Sequence, residues 1–144
     1  HANDGGGSIR VPASECGLVG LKPSRGRISK GPDTGESWMG ATVDGVVTRS
    51  VRDTALMLDI LSGYEAGDPY TAVPYARPLM EEVGKPVGFL RIGFLDHPLM
   101  PGGVDHAETR ASMATTRKLL ESLGHMVEDA YPAAIRHTQK RAGR

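Results

Sequence analysis

Residues 4–29 read DGGGSIRVPASECGLVGLKPSRGRIS. Three consecutive glycines, Gly5 to Gly7, have little reason to lie in a helix or strand, so Asp4 to Ser8 is expected to be an irregular loop. Glycine accepts positive φ, and such a loop can turn successive N–H groups into one concavity. An oxyanion hole needs that arrangement, with donors fixed around the place where negative charge will develop. The Ser8 hydroxyl would stand beside those donors. A Gly-Gly-Gly-Ser run equally suits a turn or a flexible linker, but Ile9-Arg10-Val11-Pro12 follows at once, which a linker would not normally do.

Outward from this loop, Ser8 to Ser14 is compatible with a short helix capped by Ser8, with Pro12 tolerable near its first turn. Leu18 to Leu21 is a short apolar stretch that suits a buried strand, and Ser24 to Gly45 is polar and loop-rich around the lone Trp38. The clearest helix begins at Ser50, where Ser50 and Asp53 form a capping-box-like pair. Val51, Ala55, Met57, Leu58 and Leu61 give it a wide apolar face expected to be largely buried, and Gly63 is its stop signal. Tyr64 to Pro86 reads as connection. Val87 to Leu95 is a strand by composition, Asp105 to Leu123 a helix closed by Gly124, and His125 to Val127 the start of another strand. Strand, helix and strand at this spacing predict a βαβ unit. The expected fold class is α/β, a mixed sheet with helices packed on it.

The chain has 144 residues, enough for one domain with a real core, and 39% hydrophobic with 24% charged residues is ordinary for a soluble globular protein. Lys plus Arg and Asp plus Glu both number 17, so no net field favours nucleic acid or an anionic membrane. No apolar run approaches the roughly 20 residues that span a bilayer. A single cysteine, Cys16, excludes an internal disulfide and fits a reducing, cytoplasmic setting; it reads as a small buried hydrophobe. The first residue is His1 rather than Met, so the start of the gene product, and any leader with it, is expected to lie outside this sequence. Ile135 to Arg144 carries four basic residues and no acid, and residues 133–144 read as a basic tail outside the core.

The segment DGGGSIRVPASECGLVGLKPSRGRIS closely resembles the second half of the amidase signature sequence. GVVTRSVRDTALMLDILSG (Gly45 to Gly63) looks like the segment that follows it in the same family, and FLRIGFL and LLESLGHMVEDAYP look like later parts of the core. The resemblance covers roughly residues 1–132 and implies part of an amidase-signature core. It implies cleavage of amide bonds, and sometimes esters, through a Ser–Ser–Lys triad and an acyl-enzyme. By motif position Ser8 matches the nucleophile, the N–H groups of Gly5, Gly6, Gly7 and Ser8 match the oxyanion hole, and Asp4 and Arg10 match residues that brace the loop.

In the family, the lysine and the bridging serine lie upstream of the segment matching residue 1, so a proton acceptor must come from elsewhere. Arg10 stays protonated and cannot serve. Lys22, His1, His97 and His106 are the candidates within the chain. A fragment of a longer enzyme, a truncated product acting alone, and a chain completed by a partner are all compatible with this; a homodimer or a complementing chain is expected. Trp38 and Met39 are candidate substrate contacts, whereas Met57 and Met113 fall in helices and read as core. GLVGLKPS lacks the Gly-Lys-Ser/Thr ending of a phosphate loop, and the histidines show no metal-ligand spacing, so neither cofactor nor metal is expected. The expected partner is a small amide or ester substrate, with hydrolysis through Ser8. A catalytically silent fragment is the alternative from another class.

Overall fold

The computed structural model describes residues 1–95, 98 and 103–132. The architecture is α/β, and the chain divides into two compact units, His1–Lys85 and Pro86–Arg144.

In the first unit, β1 (Ala2–Asp4) leads through the glycine loop into α1 (Arg10–Glu15), followed by β2 (Val19–Gly20), β3 (Val43–Gly45), β4 (Val47–Thr48) and α2 (Val51–Leu61). β1 pairs antiparallel with β3, setting Asn3 opposite Asp44, and β2 pairs antiparallel with β4, setting Val19 opposite Thr48. The core gathers Ile9, Ala13, Val43, Ala55 and Leu58, with Ile9 completely buried. Gly45 allows the close fit around it, since a Cβ there would stand 2.9 Å from Ile9 Cδ1. Gly20 does the same beneath α1, where an added Cβ would fall 2.5 Å from Ala13 Cβ and 2.9 Å from the Ile9 carbonyl oxygen.

Local sequence explains α2 well. The Ser50 hydroxyl accepts from Asp53 N–H at 3.1 Å, satisfying an otherwise orphan donor, and the helix ends two residues before Gly63. Its buried face differs from the expected one. Thr54, Ala55 and Leu58 are buried, while Ile60, on the opposite face, and Val51, in the first turn of the buried face, are largely exposed. Thr54 tolerates burial because its hydroxyl meets Thr48 Oγ1 at 2.7 Å.

Helix α1 starts later than the sequence suggests. Ile9, not Ser8, is the capping residue and makes no side-chain cap bond; its own N–H goes to Asp4 Oδ2 across the loop. Pro12 lies in the first turn, where its missing N–H costs nothing. Cys16, expected to be buried, is exposed at the helix end.

In the second unit, β5 (Arg91–Phe94) and β6 (Met126–Asp129) pair in parallel, with Arg91 opposite Met126, and α3 (Ala107–Ser122) connects them. This is the expected strand–helix–strand unit. Strand β5 is shorter than the apolar run Val87–Leu95, and Val87, Phe89 and Leu90 before it are exposed. Gly124, at φ +87°, follows α3 in the left-handed conformation that closes helices, and its N–H bonds the Glu121 carbonyl at 2.9 Å. Phe94 is buried beneath the Arg117 guanidinium, 4.7 Å from the ring centre. Residues 133–144 lie outside the described residues, as does His97.

Candidate active site

Asp4 ends β1 with its side chain fully buried at the turn into the glycine loop. Oδ1 accepts from Gly7 N–H at 2.7 Å and from Arg10 Nη2 at 3.0 Å; Oδ2 accepts from Arg10 Nε at 2.9 Å and from Ile9 N–H at 3.3 Å. The Arg10 guanidinium and the two backbone donors hold the Asp4 carboxyl well below the ordinary carboxylate range, although burial pushes the other way. Arg10 is correspondingly held above its usual value by Asp4. A buried carboxylate satisfied on every side ties the end of β1 and the loop to the start of α1.

The loop itself is tight. Gly7 has φ +124°, a conformation costly for other residues, and a Cβ there would stand 3.0 Å from Val11 Cγ2. Its N–H is committed to Asp4 and its carbonyl accepts from Val11 N–H at 2.7 Å. Among the described residues, no acceptor meets the N–H groups of Gly5, Gly6 and Ser8. Gly6 and Ser8 are exposed, and the loop does not splay.

Ser8, Gly5 and Gly6 line a cleft of about 330 Å³, with Asn3, Lys30, Ser37, Trp38 and Thr42 as its other walls. Trp38 reaches the glycine loop: a Cβ on Gly5 would fall 3.2 Å from the indole Cε3 and 2.8 Å from Thr42 Cγ2. Trp38 and Met39 both have positive φ, +50° and +53°, in a turn held by Gly40 N–H on the Ser37 carbonyl and Ala41 N–H on the Trp38 carbonyl. That backbone aims the indole towards the cleft and Met39 away from it, 90% exposed and outside the lining.

Sequence reading missed Lys30, whose ammonium lies 3.1 Å from Asp44 Oδ2 with both side chains mostly buried. Nothing local announces it. Lys30 enters the cleft because β1 pairs with β3, bringing Asp44 beside Asn3 across some forty residues of chain. Asn3, Ser37 and Thr42 were missed for the same reason. Of the candidate proton acceptors, Lys22 and His1 do not line the cleft. His106 belongs to the second unit, where its Nδ1 accepts from Glu108 N–H at the start of α3.

A family model described as Amidase matches residues 1–142. The chain belongs to the amidase family. It is 43% identical over 137 residues to the 6-aminohexanoate-cyclic-dimer hydrolase of Pseudomonas sp. (strain NK87), covering 94% of this chain and 28% of that protein. The enzyme of the same name from Paenarthrobacter ureafaciens matches with the same identity and coverage. A solved structure of 6-aminohexanoate cyclic dimer hydrolase complexed with substrate superposes with a TM-score of 0.84 at 42% identity, covering 90% of this chain and 27% of that one. The chain therefore spans a little over a quarter of the length of these amidase relatives. Among the described residues, no helix is long and apolar enough to cross a membrane, and no cluster of His, Cys, Asp or Glu could hold a metal ion.

Proposed function

We propose that the chain carries the nucleophile of an amide hydrolase, with Ser8 attacking a small carboxamide. The observation that supports this best is an exposed Ser8 beside the unengaged N–H groups of Gly5, Gly6 and itself, on a loop braced by buried Asp4. Ser8 Oγ adds to the amide carbon while its proton passes to a base, and the carbonyl oxygen becomes an oxyanion facing those N–H groups. Collapse breaks the C–N bond, the amine leaves with a proton, and water then releases the acid from the acyl-serine. Gly5 and Gly6 supply donors to the oxyanion together with Ser8. Gly7, expected to donate to the oxyanion as well, gives its N–H to buried Asp4 instead and contributes through the shape of the loop. Asp4 and Arg10 brace it, and Trp38 forms a wall for the acyl group, with Met39 at the outer edge of the same turn.

The family's lysine and bridging serine match no position within residues 1–144, and the proton acceptor is assigned to a group outside this sequence, whether in a longer polypeptide, a second copy or a complementing chain. Exposed Val51, Leu56 and Ile60 on α2 suit such pairing. Esters are the second substrate class proposed, since their better leaving groups need a less activated serine. The thiol of Cys16 suits the cytoplasm.

Sulfonyl fluoride labelling followed by mass spectrometry tests the reading. One adduct per chain on Ser8, lost in Ser8→Ala, is expected, together with release of amine from nitroanilides or from 6-aminohexanoate cyclic dimer. Absence of any adduct would make this a silent polypeptide and end the hydrolase reading. Light scattering tests the pairing, and a monomer at micromolar concentration would count against it.

A further inference from the structure

A second cavity of about 500 Å³ lies in the His1–Lys85 unit and shares no lining residue with the Ser8 cleft. Arg27 lines it, its guanidinium stacked 3.9 Å from the Tyr75 ring centre. Among the described residues, no carboxylate or other acceptor meets this guanidinium, and its Nε is buried without a hydrogen-bond partner. Ser62, which closes α2 and whose neighbour Gly63 donates its N–H to the Arg27 carbonyl, lines the same cavity with its Oγ buried and unpartnered. Two orphaned polar side chains meeting at one cavity cost stability unless something satisfies them.

The other charges at this cavity are accounted for. The Asp59 carboxylate takes the N–H groups of Leu79 and Met80 at 2.7 and 2.9 Å, and Arg77 pairs with Glu82. With Arg77 paired and Asp59 engaged by backbone N–H groups, Arg27 is the guanidinium of the lining that no carboxylate meets among the described residues. Tyr64, Tyr75, Pro74 and Pro78 give it apolar walls. We infer that the cavity lined by Arg27 and Ser62 binds a small aryl or alkyl carboxylate, its oxygens taken by the guanidinium, with the serine hydroxyl turning to meet them, and its apolar part by the tyrosine and proline walls. A planar guanidinium held on an aromatic face is pre-organised for carboxylate recognition, which an ammonium at that position would not match.

Calorimetric titration of the full chain with sodium benzoate, and with benzamide as its neutral counterpart, tests this at matched ionic strength. Saturable 1:1 benzoate binding is expected, with benzamide at least tenfold weaker. Arg27→Lys should weaken benzoate at least about tenfold, since fork geometry and stacking go together. Ser62→Ala removes the orphan hydroxyl, so it should fold at least as well and bind a few-fold more weakly. Arg91→Gln, in the second unit, should bind as the parent does. Failure to saturate in the millimolar range, equal binding of benzamide, or equal losses in Arg27→Lys and Arg91→Gln would overturn the inference.

Discussion

Asp4 and Arg10 face each other across the turn that presents Ser8, joined by two parallel hydrogen bonds of 2.9 and 3.0 Å. The same carboxylate also takes the N–H groups of Gly7 and Ile9. One buried charge thus ties the end of β1, the middle of the loop and the first turn of α1. The hydroxyl between them is left outward, with no structural duty of its own.

That relationship makes stability depend on acid. Asp4 titrates below its ordinary value in the folded chain, so its contribution is complete above about pH 4, the unfolded carboxylate value. Below that pH the unfolded chain takes up a proton that folded Asp4 refuses, and stability falls until Asp4 itself is protonated. Thermal midpoints measured from about pH 5 to 2 should therefore fall more steeply for the parent than for Asp4→Asn. At neutral pH Asp4→Asn should melt lower by about 5 °C or more, because its amide sets a donor against Arg10. Parallel pH profiles would remove Asp4 from this role.

Close packing of β2 under α1 predicts a different cost. Gly20→Ala places a methyl 2.5 Å from Ala13 Cβ and 2.9 Å from a backbone oxygen, neither of which can swing aside. Overpacking of this kind costs about 1–3 kcal/mol, to be read from urea unfolding. Gly124→Ala keeps its space but not its backbone conformation and should cost about 1 kcal/mol. Equal stability of Gly20→Ala and the parent would mean that α1 is not seated on β2 as described.

Local chemistry made some of this legible in sequence. Ser50 and Asp53 announce α2 because a cap acts within three residues, and Gly124 announces the end of α3 for the same reason. The glycine run declared a loop, and its family resemblance singled out Ser8 as the residue to test. Strands β1 and β3 left no trace, since three residues are too few for an alternation and their pairing joins Asn3 to Asp44 across the chain. Everything that depends on that pairing was hidden with it, including Lys30 and Thr42 in the cleft wall. Exposure was equally out of reach: Cys16 and Val51 are apolar by composition, but what covers a side chain is decided by its neighbours in space.

The turn that aims Trp38 holds two side-chain-bearing residues in the left-handed region. Met39 contributes no burial to offset this, so Met39→Gly should be stabilising by up to about 1 kcal/mol. The fluorescence of Trp38, the single tryptophan, should stay as in the parent. A shifted emission maximum, or a loss of stability, would mean that the Met39 side chain positions the indole.

Lys30 and Asp44 offer the sharpest test of the cleft wall, because the cost of breaking a pair differs from the cost of replacing it. Lys30→Met leaves the Asp44 carboxylate mostly buried without its ammonium. Fully buried pairs lose about 3–5 kcal/mol in that situation, and partial exposure here brings the expectation to about 2 kcal/mol. Substituting both residues by apolar ones removes the stranded charge, so Lys30→Met with Asp44→Leu should recover much of that loss. Urea unfolding of the two singles and the double gives the coupling directly. Sulfonyl fluoride labelling of Ser8 in the double variant then separates framework from chemistry. If the pair only shapes the wall, labelling proceeds at the parent's rate; if the ammonium steadies the charge that develops on the sulfonyl oxygens and departing fluoride, labelling slows while stability is restored. Additive losses in stability would show that the two groups do not act as a pair, and the wall would have to be held by the β1–β3 ladder alone.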